Sequence, residues 1–542
     1  MSRIESDTLP VLVGVGQTVG HWGGECPREA PSPLKLCVDA ARNALEDSGT
    51  GPSLSDRIDA VAVVRTLEDS IPKSPYPFGR CENYPGAVSQ ALQLSPSIAV
   101  YSAVGGDQPQ RLVNEFAARL YHRECRAVLL CGAEATAAFK TAIRGKLQLD
   151  WSTECDRVFE DRGIGPALST RYERKNGLGW PTNSYPLFEE AYRTRRGLTR
   201  SQYLAETAEL LSGFSQVAAT NPYAQFPTAR SAQFLETPSK ENYPIAGPYL
   251  KWHVAQDAVN QGAAVILTTV AEARAAGVPE DRWVYLHGHS ALSDCTTAVR
   301  PDFSRSRSLE GALALALESS NLSAEQVSLF DIYSCFPCVV FLAAEALKLD
   351  WRRCVLTQTG GLPFFGGPGN NYSMHAIASM VRRLRARPEQ YGLVLANGGY
   401  LSKHAAGVFS RIAPDQWSPV DATQCQATID AESVTDRIVG DAQGIAEANV
   451  ESFTVVYGRG GPEYATLVAR RGMQRALVKI SGEQEAVLEA IAAGRDPVGA
   501  SIRLRVIQDP GEGSVQGSNH MSDTIPSYAM IGGLALEDGF LC

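Results

Sequence analysis

The chain has 542 residues, 44% of them hydrophobic and 20% charged, with a formal net charge of −9. That length leaves room for several cores, and that composition argues against disorder. Lys and Arg are scattered rather than clustered, a poor electrostatic footprint for nucleic acid, whose binding needs a basic face; a few local cations could still meet a nucleotide-like acyl carrier.

The N-terminal MSRIESDTLP carries acids where a signal peptide has its apolar core. Residues 10–16 (PVLVGVG) read as a buried strand, and a helix pattern follows at 34–47, with Leu34, Val38, Ala41 and Leu45 on one stripe. DRIDAVAVV (56–64) is a second strand, and SPSIAVYSAVGG (95–106) a third that ends in paired glycines. A helix opens with Pro109, and RAVLLCGAE (126–134) is another apolar strand. This β-α-β rhythm predicts a largely parallel sheet covered on both faces. Residues 140–250, rich in Trp, Tyr, Pro and Arg, read as a loop-and-helix insertion over the sheet edge, where substrate sites are often built. The rhythm returns with GAAVILTT (262–269), VSLFDIYSCF (327–336), helices at about 338–349 and after His375, and GLVLANGG (392–399). Glycine pairs at 105–106 and 398–399 hint at an internal duplication. The apolar run 335–347 is cut by Pro337 and Glu345 and is too short to span a bilayer, so the expected compartment is the cytoplasm. Twelve cysteines are too dilute for a disulfide framework and are expected as reduced, mostly buried thiols. After Trp417 the texture changes to short alternating strands, read as a five-strand barrel, with a Gly- and Ser-rich tail beyond about 510 that is expected to be loose until near 528.

Five segments in order resemble landmarks of the thiolase superfamily. TGGLPFFGGPGNN (359–371) resembles the glycine-rich loop that carries a Gly-His-Pro triplet. VNQGAAVILTT (259–269) looks like the Asn-Asp-Gly-Ala-Ala strand entry. DIYSCF (331–336) looks like the His-Asp-Cys-Phe segment of the sterol-carrier-protein type of thiolase. ANGGY (396–400) looks like the final Cys-x-Gly-Gly loop, and RAVLLCGAE matches the strand after the nucleophile helix. The resemblance spans roughly 8–415, and the fused C-terminal domain is similar to the monomeric type 1 branch. It implies an α/β protein with a duplicated five-layer α-β-α-β-α core at 8–139 and 251–415, the insertion at 140–250, and an OB-like β-barrel at 420–542.

Thiolase chemistry needs a thiolate nucleophile, a base to activate it and a second acid/base for the α-carbon proton. By this resemblance the nucleophile position falls on Gly106 or its neighbour Gly105, the Gly-His-Pro histidine on Gly367, and the last cysteine on Ala396. None can carry a proton or form a thioester. The candidate replacements are His375, Tyr333 (where the family has Asn or His), Cys335 on the oxyanion-hole side, and His404 beside Lys403. Each has a structural reading beside the functional one: Cys335 as inert core, His375 as a partner for loop carbonyls, His404 as a solvated loop residue, Tyr333 as a packed ring. Gly105, Gly106, Gly366, Gly367, Asn397 and Gly398 are the expected substrate-binding backbone, where glycine lets a ligand or strand come close.

Three further motifs carry little weight. Cys335-Phe-Pro-Cys338 has redox or half-zinc spacing but no second pair. Gly14-Val-Gly16 lacks the third glycine of a dinucleotide fingerprint, and Gly288-His-Ser290 falls a glycine short of a nucleophile elbow. The expected activity is that of a thiolase-like acyl-CoA enzyme, an acyltransferase or a retro-aldol lyase, with no bound cofactor or metal and a coenzyme A thioester as ligand. The alternatives are a non-catalytic acyl-CoA or lipid-binding protein or partner subunit, and, more weakly, single-strand binding by the barrel. A monomer or homodimer is expected, with no nucleic-acid or membrane partner.

Overall fold

Strands that are apolar at every position need cover on both faces, and the computed structural model supplies it. It describes residues 7–71, 76–434, 436–507, 527–536 and 539–541. The N-terminal half begins with β1 (Pro10–Val19), α1 (Pro33–Asp47), β2 (Ile58–Val63), β3 (Ile98–Tyr101), α2 (Gln108–Tyr121) and β4 (Ala127–Ala135). An inserted region bears α3 (Pro181–Arg195), α4 (Arg200–Ala219) and β5 (Pro244–Gly247), after which β6 (Asn260–Thr269) completes the half. The C-terminal half comprises β7 (Val284–Ser293), α5 (Arg307–Ser320), β8 (Val327–Ile332), α6 (Pro337–Ala346), α7 (Tyr372–Arg385), β9 (Tyr391–Gly398) and β10 (Lys403–Ser410).

The two halves repeat one topology. The first runs β3-β2-β4-β6-β1, with β2 and β4 parallel and the pairs β4–β6 and β6–β1 antiparallel. The second runs β8-β9-β10-β7, with the same sequence of one parallel and two antiparallel pairs. Thus β1, β2, β4 and β6 correspond to β7, β8, β9 and β10. The sheets join at one corner, where Val11 and Leu12 pair with Tyr285 and Val284. Helices α1 and α5 cover the outer faces, while α2 and α7 lie between the sheets and touch strands of both. This is the expected five-layer core.

Glycine sets the helix–sheet distance in both halves. A Cβ on Gly14 or Gly16 of β1 would overlap the carbonyls of Ala44 and Ala40 on α1. A Cβ on Gly288 of β7 would overlap the carbonyl of Ala316 on α5. The Gly14-Val-Gly16 and Gly288-His-Ser290 motifs are therefore packing devices, since only glycine admits so close a backbone. The third strand is shorter than its apolar run: it ends at Tyr101, and residues 102–106 turn into α2, with Gly105 at φ +153°.

The C-terminal unit holds β11 (Ile445–Gly458), β12 (Gly461–Arg471), β13 (Gln474–Ile480), α8 (Glu485–Ala492), β14 (Ser501–Ile507) and β15 (Ser527–Leu536). Long β11 pairs with β12 along 449–458 and with β14 along 445–449. β12 pairs with β13 and β14 with β15, while β13 approaches β15. The long first strand is shared between two partners, and a helix lies between the third and fourth strands. The part of the Gly- and Ser-rich tail up to 526 lies outside the described residues.

The insertion does more than lie over a sheet edge. Its β5 pairs with β11, and α3 packs on both β11 and α6. Ser452 Oγ donates to the Leu187 carbonyl and Thr466 Oγ1 to that of Asn176, each at 2.6 Å. The insertion thereby ties the C-terminal unit to the core. Buried Arg475 adds a second tie, donating to the Arg300 carbonyl and, at 2.9 Å, to both oxygens of Glu451.

Candidate active site

The turn between β3 and α2 lies where the two halves meet. Ser373, in the first turn of α7, donates to the Gly106 carbonyl at 2.9 Å. Asn370 accepts from the Gly105 amide at 3.1 Å and donates to the Arg65 carbonyl at 2.8 Å. A Cβ on Gly106 would overlap the Tyr333 hydroxyl and stand 2.5 Å from the Asn397 carbonyl oxygen. A Cβ on Gly105 or on Gly398 would overlap Asp107 Oδ1. No cysteine fits at either 105 or 106 in this arrangement.

Tyr333 follows β8, with its amide on the Leu395 carbonyl at 3.0 Å and its ring edge-on to Tyr372 at 5.2 Å. Burial, then Cys335 and Asp107, push its phenol well above the usual range, so it is a neutral hydrogen-bond donor. Two residues on, Cys335 Sγ accepts from Asn397 Nδ2 at 3.3 Å and is bonded by the Tyr185 hydroxyl. Burial pushes this thiol up to about 12, which leaves it a neutral thiol rather than a thiolate. Asn397 Nδ2 also donates to Tyr185 at 2.9 Å, while its Oδ1 is buried without a partner. Tyr185, from helix α3 of the insertion, stacks on Phe336 at 4.0 Å and accepts from the Leu401 amide at 2.9 Å.

The structure thus brings Gly105, Gly106, Tyr333, Cys335, Asn397 and Gly398 into one cluster. It places the two histidines elsewhere. His375 Nδ1 donates to Gln17 Oε1 at 2.9 Å, its ring meets the Phe365 ring at 5.1 Å, and burial drives it down to about 3. His404 is fully buried rather than a solvated loop residue: its Nδ1 lies 2.8 Å from Ser308 Oγ, and burial drives it down to about 3. Alternation along β10 accounts for this, because it turns His404 toward α5 and Lys403 toward the glycine turn. Imidazoles so depressed are neutral near pH 7 and poor bases. Gly366 packs on Gln261 and Val259; Gly367 packs on Ala255, whose amide donates to the Cys335 carbonyl at 3.1 Å.

Sequence reasoning passed over Asp107 and Tyr185, and named Lys403 only as a neighbour of His404. Asp107 is fully buried; Oδ2 accepts from Arg111 Nε at 2.5 Å, and Oδ1 has no partner. Lys403 Nζ donates to the Val104 carbonyl at 3.2 Å, and its stem lies 3.7 Å from where a Gly105 Cβ would stand. Burial lowers its pKa, and Asp107 opposes that shift. Behind the loop, Glu134 accepts from the Leu67 amide at 2.7 Å, and burial raises its carboxyl to about 8; nearby Glu68 is raised to about 8 for the same reason. Among the described residues no group of three or more His, Cys, Asp or Glu could hold a metal ion, and no helix is long and apolar enough to cross a membrane. Cys335 and Cys338 are both free thiols.

No family model matches the sequence, and no curated protein does. Among solved structures, the chain is similar to the Ltp2–ChsH2(DUF35) aldolase, 16% identical over 75% of this chain and 98% of that one, with a TM-score of 0.55. It is similar to the acetyl-CoA acetyltransferase from Syntrophomonas wolfei, 15% identical over 75% and 99%, with a TM-score of 0.53. At those identities the likeness is one of fold. It is also similar to a monomeric SCP2-thiolase-like protein type 1 from Mycobacterium smegmatis, 34% identical over 93% of this chain and 98% of that one, with a TM-score of 0.76. Duplicated halves, a glycine turn at the head of a central helix and this last match together place the chain in the SCP2-thiolase-like protein type 1 family, within the thiolase superfamily.

Proposed function

We propose that this protein acts on acyl-CoA thioesters by making or breaking a carbon–carbon bond through a thioester enolate, without an acyl-enzyme. One observation carries the reading: Gly106 stands at the head of the central helix with the Tyr333 hydroxyl filling the space a nucleophilic side chain would need. A neutral phenol there can donate to a developing enolate oxygen, and one such donor is typically worth about 3 kcal/mol. Cys335, the sulfur in the cluster, is held as a thiol by burial, which disfavours thioester formation. A retro-aldol cleavage needs only an enolate stabiliser and a base, so it fits the cluster better than thiolysis. No bound cofactor is required, and the ligand is the coenzyme A thioester itself. A cytoplasmic monomer or homodimer fits the same reading. The test is intact-mass spectrometry after incubation with acetyl-CoA. No acetyl adduct is expected, and a stable adduct on any cysteine overturns the enolate reading.

A second reading, a non-catalytic acyl-CoA-binding protein, is favoured by the burial of the cluster, with Tyr333 6% and Cys335 8% exposed. Binding of acetyl-CoA with no α-proton exchange and no turnover of several acyl-CoA thioesters supports that alternative.

A further inference from the structure

The enolate reading lacks a base, and the depressed imidazoles of His375 and His404 do not supply one. Asp107 stands one residue beyond the nucleophile position, at the N-cap of α2, yet its side chain makes no capping hydrogen bond. Capping is the ordinary reason for an aspartate there. Instead Oδ2 is held by Arg111 Nε at 2.5 Å and Gln108 Nε2 at 3.5 Å, while Oδ1 is buried with no partner. Leaving a buried acceptor unsatisfied is destabilising, and such a group calls for an explanation, a catalytic role being one. Oδ1 is lodged against two glycines from different halves of the core, Gly105 and Gly398, either of which would strike it if it carried a Cβ. The glycine turn thus packs backbone around one carboxylate oxygen, beside the Tyr333 hydroxyl.

Around the turn, Ala103, Gly399 and Lys403 are half-buried and the residues flanking them buried. Lys403 is bonded to the Val104 carbonyl and electrostatically coupled to Asp107.

Resting on the enolate reading, we propose that Asp107 is the general base of this site, with Tyr333 as enolate donor and Lys403 as the positioning cation beside it. With a β-hydroxyacyl thioester, Asp107 Oδ1 takes the β-hydroxyl proton and that O–H pair becomes the new carbonyl bond. The Cα–Cβ bond breaks, and its electron pair becomes the thioester enolate, held by the Tyr333 O–H. Once the aldehyde or ketone leaves, Asp107 returns its proton to the α-carbon. The sum is one β-hydroxyacyl thioester giving one carbonyl compound and one shortened acyl thioester, with no oxidant or reductant.

The experiment uses acetyl-CoA as probe and follows deuterium entry into its methyl group in D2O by mass spectrometry, alongside acetyl-CoA affinity. The full chain is expected to catalyse exchange. Asp107→Asn is expected to lower the exchange rate at least 100-fold with affinity changed less than threefold. Lys403→Met is expected to weaken binding more than it slows saturated exchange. Exchange by folded Asp107→Asn within threefold of wild type overturns Asp107 as base and leaves the enolate reading standing. Binding without exchange by the wild-type chain overturns that reading, and this assignment with it. Should Asp107→Asn unfold, Asp107→Glu takes its place: the longer carboxylate is expected to retain at least tenfold more exchange than Asp107→Gln, and equal rates overturn the proposal.

Discussion

Gly106 and Tyr333 occupy each other's space: the tyrosine hydroxyl sits where the first side-chain atom of residue 106 would be. The tyrosine of the YSCF segment thus fills the place that the thiolase resemblance gives to a nucleophile's side chain. Restoring a cysteine is expected to fail for steric reasons. Gly106→Cys should lower stability by about 1–3 kcal/mol, the ordinary cost of overpacking. Gly106→Cys with Tyr333→Phe should recover part of that loss, because the hydroxyl is the nearest obstacle. Thermal unfolding of the single and double variants checks this; equal midpoints for both would contradict the overlap.

Tyr333→Phe alone keeps the ring against Tyr372 and removes the donor. Saturated acetyl-CoA deuterium exchange should fall about 100-fold, the usual effect of deleting one such donor, with little change in affinity. An unchanged saturated rate would remove Tyr333 from the chemistry.

Cys335 should be chemically quiet. With its thiol pushed up to about 12 by burial and Sγ held by Asn397 and Tyr185, alkylation by iodoacetamide at pH 7.5 is expected to spare it in the native chain and label it after unfolding. Peptide mapping before and after denaturation reads this directly. Rapid native labelling would point to a thiolate and reopen a covalent route.

Glu134 gives a pH signature. Its carboxyl is raised from an ordinary 4.5 to about 8 in the folded chain, so folding favours the protonated form. That contribution is complete below about pH 4.5 and is lost as pH rises through 8, since the unfolded chain then holds fewer protons than the folded one. Glu134→Gln, which keeps the acceptor for the Leu67 amide, should match wild type near pH 4.5 and exceed it in stability at pH 8. Urea unfolding midpoints at the two pH values decide it; parallel midpoints would show that Glu134 is not protonated on folding.

Arg475 joins the C-terminal unit to the core. Arg475→Ala strips the Arg300 carbonyl of its buried donor and leaves Glu451 paired with Arg470 alone, at an expected cost of about 1–3 kcal/mol. Arg300 in turn donates to the carbonyls of Tyr400 and Leu401, so the same variant should also slow acetyl-CoA exchange. Loss of stability with an unchanged rate would separate the two units functionally.

Apolar periodicity and strand–helix rhythm located the core strands and the need to cover them, while the duplicated five-layer arrangement came from the family resemblance; the largely parallel sheet expected from the rhythm is in fact mixed, because each half closes through antiparallel pairs. PVLVGVG, RAVLLCGAE and GAAVILTT are strands because runs of that kind have no stable place except inside a covered sheet. That Gly106, Gly367 and Ala396 fall on the family's catalytic positions is what the resemblance implies. Which side chains gather around those positions was decided only in three dimensions. Alternation on β10 turned His404 away and brought Lys403 in; a 14-residue helix starting at Tyr372 aimed Ser373 at the turn but His375 at Gln17. Nothing in the sequence marks Asp107, whose carboxylate caps nothing and meets Arg111 instead. Tyr185 lies about 150 residues from the sulfur it binds, with no local pattern to announce it. Secondary structure follows short-range periodicity, whereas a site assembled from two halves and an insertion depends on side-chain directions fixed only when distant strands find their register.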